Sequence, residues 1–294
     1  MSLLKVDNIV KSYGNHKVLK GITFQINEPN ILALVGPNGS GKTTLLNVMT
    51  NLLKADSGTV ELLGMKNSDP NVFKKVAYLK DNTVLYPYLS GYDHLKYIQS
   101  MQKLPKERID EVVNQIGISE YVRNKTSTYS LGMKQHLLIA MSIMNHPEVL
   151  LLDEPLTGLD PTSVMDVRLL LNTLSKKGVT ILLSSHSLSE IDFITSNILF
   201  LKDGEVIEED ISEYQKTRYQ LKVATNDLER VIPLTNTHKH LLMEENYLIY
   251  TSSEPNLQWL INTLQEHNIV VEDMSKRVVG AQERYEAIFK EIEV

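Results

Sequence analysis

The 294-residue sequence predicts an α/β fold with a smaller α+β unit at its C-terminal end, and three observations carry that reading. Short β-branched apolar runs alternate with helical stretches over residues 1–211, several of them continuously apolar, as parallel strands covered on both faces are. One such run, Ile31-Leu32-Ala33-Leu34-Val35, leads straight into a glycine-rich loop and then a helix. Beyond a charged hinge at 208–216, the pattern over 218–294 becomes strand, helix, two strands, helix, strand, which suits a ferredoxin-like unit.

Along the first part the candidate strands are 4–10, 19–26, 31–35, 59–63, 76–79, 149–152, 180–184, 198–201 and 205–208. The last two bracket Lys202-Asp203-Gly204, a hairpin signal because Asp and Gly tolerate positive φ. From about 82 to 128 the pattern turns helical. Leu95, Ile98 and Met101 share one face, and Ile109, Val112, Val113 and Ile116 form a second apolar stripe, which predicts a helical insertion between two halves of the sheet. In the C-terminal part, strands at 219–224, 239–244, 247–251 and 269–272 alternate with helices at 227–232 and 256–267, and a last helix spans 281–292. Leu257, Leu260, Ile261 and Leu264 share one helical face, while His238 and His240 lack a nearby third ligand and are expected to be exposed.

Composition narrows the function. With 30 basic against 36 acidic residues the net charge is −6, which argues against nucleic acid as a partner, because displacing counterions needs a basic surface. There is no cysteine, hence no disulfide framework and no thiolate chemistry. The longest apolar runs fall far short of the roughly 18 residues of a membrane span. The opening MSLLKVDNIVKSYG has no apolar core of a secretion signal, so the chain is expected in the cytoplasm.

Gly36-Pro37-Asn38-Gly39-Ser40-Gly41-Lys42-Thr43 matches the phosphate-binding pattern G-x-x-x-x-G-K-[ST], between a strand and a helix starting at Thr44. Glycines let successive N–H groups turn inward, and the helix N-terminus adds partial positive charge. Lys42 is expected to neutralise β- and γ-phosphate oxygens of ATP, and the Thr43 hydroxyl to ligate Mg²⁺. Val149-Leu150-Leu151-Leu152-Asp153-Glu154 brings two carboxylates to the C-terminal end of a buried strand, where open α/β sheets hold their ligands. Asp153 is expected to hold Mg²⁺ through its water shell, and Glu154 to face an attacking water.

Tyr129-Ser130-Leu131-Gly132-Met133-Lys134-Gln135 follows the helical insertion. It resembles the signature sequence of ABC-type ATPases, in the variant found in ATP-binding subunits of drug, antibiotic and bacteriocin-type exporters. The resemblance runs from residue 3 to about 210 and implies an ABC cassette: a mixed sheet core, an antiparallel β-subdomain and a helical subdomain. It implies that Tyr13 stacks on adenine, that Thr157-Gly158-Leu159-Asp160 is the D-loop with Asp160 coupling two sites, and that His186 contacts the γ-phosphate and water. It further implies a head-to-tail pair of cassettes, identical or different, each ATP lying between the loop of one chain and the signature of the other. Ser130 reads as a helix N-cap, so Gly132 and its neighbours offer N–H groups to an anion.

Asp81 stands where the family carries its Q-loop glutamine. A carboxylate there attracts Mg²⁺ and repels the γ-phosphate, each term on the order of 4 kcal/mol at about 4 Å, so ATP binding is expected to depend strongly on the metal. The resemblance also implies transmembrane permease subunits as partners, gripped by the helical subdomain near Tyr86, Tyr88 and Leu89, and a location on the inner face of the membrane. Two other readings fare worse. Non-transport relatives that switch dimerisation with ATP carry tandem cassettes or coiled-coil insertions, and a metabolic kinase leaves Ser130, Gly132 and Asp160 unexplained.

Overall fold

The computed structural model describes residues 2–80, 82–212, 214, 216–253 and 256–289. In chain order the elements are β1 (Leu4–Tyr13), β2 (His16–Ile26), β3 (Ile31–Val35), α1 (Lys42–Met49), β4 (Ser57–Leu62), β5 (Met65–Lys66) and β6 (Val76–Leu79). Then come α2 (Gly91–Met101), α3 (Glu107–Ile116), α4 (Leu131–Ile143), β7 (Val149–Leu152), α5 (Pro161–Lys176), β8 (Thr180–Ser185), α6 (Leu188–Ile191), β9 (Asn197–Lys202) and β10 (Glu205–Asp210). The remainder is β11 (Lys216–Val223), α7 (Leu228–Thr237), β12 (Leu241–Glu244), β13 (Tyr247–Ser252), α8 (Leu257–Glu266), β14 (Val271–Val279) and α9 (Ala281–Phe289).

These elements form two compact units. The first runs to Ser187 and resumes over Asn197–Glu209; the second takes Leu188–Ser196 and the chain from Asp210 onward. The second unit therefore includes α6, which lies inside the span read from sequence as cassette.

In the first unit, an antiparallel sheet of order β2-β1-β4-β5 meets a six-stranded sheet of order β10-β9-β3-β8-β7-β6. Pairs β9–β3, β3–β8, β8–β7 and β7–β6 are parallel. Every residue of β3, β7 and β8 is buried, as their continuous apolar runs require. One core joins both sheets and α1 through Leu4, Ile22, Leu34, Leu45, Met49, Leu151 and Leu182, each such side chain contributing about 1.5–3 kcal/mol on burial. With α2 and α3 as the helical subdomain, this is the expected mixed-sheet architecture.

Helix ends show how the insertion is held. Ser90 and Asp93 cap α2 reciprocally: Ser90 Oγ accepts the Asp93 N–H at 3.1 Å, and Asp93 Oδ2 accepts the Ser90 N–H at 2.9 Å. The Ser90 hydroxyl, donating to Asp93 Oδ2 at 2.6 Å, and then the Ser90 N–H hold the Asp93 carboxyl below the ordinary range. Of the expected face, Leu95 is buried, Ile98 is half-buried and Met101 is exposed, and His94 joins Leu95 on the buried side. His94 can be buried because both ring nitrogens are used, Nδ1 donating to Ser90 O at 2.7 Å and Nε2 accepting the Tyr86 N–H at 3.0 Å. The C-terminal end of α4 is closed from outside by Arg108 of α3, buried and donating to the carbonyls of Ile143 and Met144.

The second unit has an antiparallel sheet of order β12-β13-β11-β14, its second, third, first and fourth strands, as a ferredoxin-like unit has. Its core gathers Tyr219, Leu221, Leu234, Leu248, Leu260 and Leu264. Ile261 sits at the edge of that face, 36% exposed. His238 is half-buried with its ring edge-on to Trp259 at 5.0 Å, whereas His240 is exposed as expected. Asp192, from the segment after α6, accepts the Ala281 N–H at 2.9 Å and so caps α9. Along α9, Ala281 is buried and Tyr285 and Ile288 are half-buried; the end of the predicted span, with Ile292, lies outside the described residues.

Candidate active site

Strand register assembles the site. β8 lies between β3 and β7, with Val35 opposite Ser185 and Leu152 opposite Leu183. β3 and β8 thus end together and β7 two residues before them, where Val35 leads into the glycine loop, Leu152 into Asp153 and Ser185 into His186.

The loop admits no side chain where it turns. A Cβ at Gly36 would meet Leu201 O and Ser40 Oγ at 2.7 Å each, and one at Gly41 (φ +107°) would meet Val18 Cγ1 at 2.8 Å. Pro37, Asn38 and Gly39 are exposed at the mouth. Gly41 is the N-cap of α1 and offers no side-chain cap, so the first amides of the helix, at Lys42, Thr43 and Thr44, are left for another acceptor. Lys42 is only 7% exposed; its Nζ donates to Gly36 O at 2.8 Å and Pro37 O at 3.3 Å, and lies 4.0 Å from Glu154 Oε1. Ser40 Oγ is buried with no hydrogen-bond partner among the described residues. A polyphosphate supplies what these groups share a need for: several anionic acceptor oxygens.

Opposite the loop, Thr43 Oγ1 donates to Asp153 Oδ2 at 2.8 Å, and Ser184 Oγ donates to Asp153 Oδ1 at 2.6 Å. Glu154 follows with φ +50°, a left-handed conformation rare outside glycine and costing about 1–3 kcal/mol. Its carboxylate accepts the Thr157 hydroxyl at 3.1 Å and faces His186 Nδ1 at 2.8 Å. A carboxylate only accepts, so the hydrogen sits on Nδ1 of His186 and Nε2 points elsewhere. Sequence reasoning passed over Ser184, and it placed Thr157 in the D-loop without its hydrogen bond to Glu154; a serine near a strand end carries no distinguishing pattern, and only the pairing of β7 with β8 brings Ser184 in.

The residues present fit Mg²⁺. Thr43 and Asp153 offer hard oxygen donors side by side, and no cluster of three or more acidic, His or Cys side chains suited to a metal occurs among the described residues. Such a sparse set suits an ion that keeps waters and substrate phosphate oxygens as its remaining ligands.

A second surface carries the other expected residues. Ser130 caps α4, its Oγ accepting the Met133 N–H at 3.2 Å. Asp160 caps α5, accepting from the Thr162 and Ser163 amides and the Ser163 hydroxyl; hydrogen bonds from Ser163, then Thr162, keep its carboxyl below the ordinary range. A Cβ on Gly132 would lie 3.8 Å from Asp160 Oδ2, and one on Gly158 would strike the Leu131 side chain, so signature and D-loop form one patch. Tyr13 stands 53% exposed where β1 turns into β2, whose Val18 and Leu19 flank Gly41. Asp81 lies outside the described residues.

This geometry defines a P-loop ATPase, and comparison with known proteins places it further. The family model described as "ABC transporter" matches residues 19–157. The lantibiotic transport ATP-binding protein SrtF of Streptococcus pyogenes is 35% identical over 70% of this chain and 90% of its own length. The uncharacterized ABC transporter ATP-binding protein YcbN of Bacillus subtilis is 31% identical over 96% of this chain and 95% of its own, so the likeness extends through the C-terminal unit. The bacitracin transport ATP-binding protein BcrA of Enterococcus faecalis is 36% identical over 73% and 71%. Among solved structures, the dimeric post-hydrolysis state of the cassette MJ0796 bound to ADP and Pi aligns with a TM-score of 0.65 at 27% identity, covering 70% of this chain and 98% of that one.

The chain belongs to the ATP-binding proteins of ABC transporters. It is an ATPase cassette that binds ATP with Mg²⁺, and it comes from a family whose members dimerise and work with membrane permease subunits. Among its described residues, no helix is long and apolar enough to cross a membrane.

Proposed function

We propose that this ATPase powers export of an antibiotic- or bacteriocin-like compound through separate transmembrane permease subunits, by ATP-driven head-to-tail pairing with a second nucleotide-binding subunit. The observation that carries it is the convergence of Lys42, Thr43, Asp153, Glu154 and His186 where three neighbouring strands end, together with a separate surface on which Ser130 caps the N-terminus of α4. The roles of SrtF and BcrA in lantibiotic and bacitracin transport support the compound class.

The residues divide the work. Tyr13 stacks on the adenine, a contact of about 1–3 kcal/mol. The amides of the glycine loop with Lys42 hold the β- and γ-phosphates, and Thr43 and Asp153 hold Mg²⁺, which neutralises phosphate charge when bound. Glu154 takes a proton from water as the water oxygen bonds to the γ-phosphorus and the bond to the β–γ bridging oxygen breaks, releasing ADP and phosphate. His186 orients Glu154 through Nδ1 and keeps Nε2 for the γ-phosphate or the water. Ser130 and Gly132 receive the γ-phosphate of the facing copy, with Asp160 coupling the two sites. Asp81 adds a dependence on the metal. We infer a place at the inner face of the membrane, where permease partners of the kind this family works with would hold the chain.

The absence of native cysteine gives a clean test of the pairing. Asn38→Cys and Leu131→Cys chains, each also carrying Glu154→Gln, are mixed and treated with a short bis-maleimide. A covalent dimer formed only in the mixture, and only with ATP, is expected. ATP-saturated chains that stay uncrosslinked overturn the head-to-tail arrangement.

Tyr86 and Tyr88 stand 55% and 66% exposed with ring centroids 5.8 Å apart, an aromatic patch suited to a permease helix. Tyr88→Glu is expected to abolish co-purification with the permease at unchanged ATP affinity; a retained complex places the grip elsewhere.

A further inference from the structure

We propose that Ser184 is a positioning residue for ATP hydrolysis: its buried hydroxyl fixes the Asp153 carboxylate and the Glu154 backbone relative to each other. This rests on the reading of Asp153 and Glu154 given above.

The backbone ladder between β7 and β8 ends at the Leu152–Leu183 pair. One residue further the side chain of Ser184 takes over the pairing. The Glu154 N–H donates to Ser184 Oγ at 2.8 Å, and the Ser184 hydroxyl donates to Asp153 Oδ1 at 2.6 Å. The polarity of this relay is fixed by chemistry: an amide N–H can only donate and a carboxylate can only accept, so the single serine hydrogen must face Asp153. Ser184 is fully buried, so bulk water does not compete for its hydroxyl.

Both ends of the relay matter to the site. Asp153 already has Oδ2 bound by Thr43 Oγ1; a second donor on Oδ1 stops the carboxylate from rotating and keeps Oδ2 toward the Mg²⁺-binding hydroxyl. Glu154 reaches His186 and Thr157 from a left-handed backbone at φ +50°, a conformation that persists only where its surroundings over-determine it. The hydroxyl of Ser184 is the group that receives the amide this turn lifts out of the sheet.

The test uses the full chain and compares Ser184→Ala and Ser184→Thr with Glu154→Gln and a control, Thr180→Val. Thr180 lies on the same strand, fully buried, with its Oγ1 unpartnered among the described residues, so Val at that position is expected to leave activity intact. For Ser184→Ala, kcat is expected to fall about 10–100-fold, the usual cost of losing an outer-shell partner, and ATP binding is expected to need more Mg²⁺. ATP affinity in EDTA is expected to be unchanged. Independently of turnover, hydrogen exchange of the Glu154 amide in the nucleotide-free protein is expected to accelerate, and Ser184→Thr, which keeps the hydroxyl, to restore both protection and rate. Wild-type kcat together with unchanged Glu154 exchange in Ser184→Ala overturns the proposal. So does an equal loss of ATP affinity in EDTA and of kcat, which marks a merely structural serine. Should Glu154→Gln hydrolyse ATP at the wild-type rate, the underlying reading of Glu154 fails, while the exchange experiment still judges the relay.

Discussion

Glu154→Gln is expected to lower steady-state phosphate release by about 10²–10⁴-fold while ATP binding survives or tightens. Gln has the same shape, and its side-chain oxygen still accepts the hydrogen bonds from His186 Nδ1 and the Thr157 hydroxyl, so the turn is preserved. What disappears is the capacity to hold a water proton as the γ-phosphorus is attacked. The net negative charge 4.0 Å from Lys42 disappears too, leaving that ammonium wholly to the phosphates and removing a like-charge repulsion from the γ-phosphate. ATP is therefore expected to convert the variant from monomer to a long-lived dimer in gel filtration, and ADP is not. A variant that retains more than about a tenth of wild-type turnover shows that Glu154 is not the proton acceptor, since general-base catalysis contributes at least about a hundredfold.

The parts of this site legible in sequence are those whose chemistry is contiguous. Gly36 through Thr43 fold into a phosphate loop because each requirement, glycines at the turns and then a helix start, lies within eight residues. Asp153 and Glu154 are readable because four buried apolar residues fix where their strand ends. What the sequence could not reveal is set by pairing between distant segments. Ser184 meets Asp153 only because β8 runs beside β7, and Arg108 closes α4 from 35 residues away. Strand limits fail for the same reason. β1 runs on to Tyr13 through register shifts at its polar end, and β14 runs to Val279 through Asp273, Ser275, Lys276 and Arg277, an exposed polar stretch that its backbone pairing with β11 holds extended. The membership of α6 in the C-terminal unit is likewise a matter of contacts: nothing in Leu188-Ser189-Glu190-Ile191 announces that Asp192 will cap a helix 89 residues later.

Lys42→Met separates the cost of the site from its benefit. The buried ammonium is held by two neutral carbonyls and lies near one carboxylate, a poor exchange for its lost hydration. Met keeps the apolar stem and nearly the same volume, so the variant sheds that desolvation cost and its thermal midpoint is expected to stay level or rise, a common trade between stability and function. ATP loses its only side-chain cation from the loop. Removing one partner of a buried charge pair costs about 2–5 kcal/mol, so Kd for Mg-ATP is expected to rise roughly 30- to 5000-fold in calorimetric titration. The two quantities diverge only if Lys42 is present for the ligand and not for the fold. A lowered midpoint with an affinity within about threefold of wild type would invert that conclusion and make the lysine a structural strut.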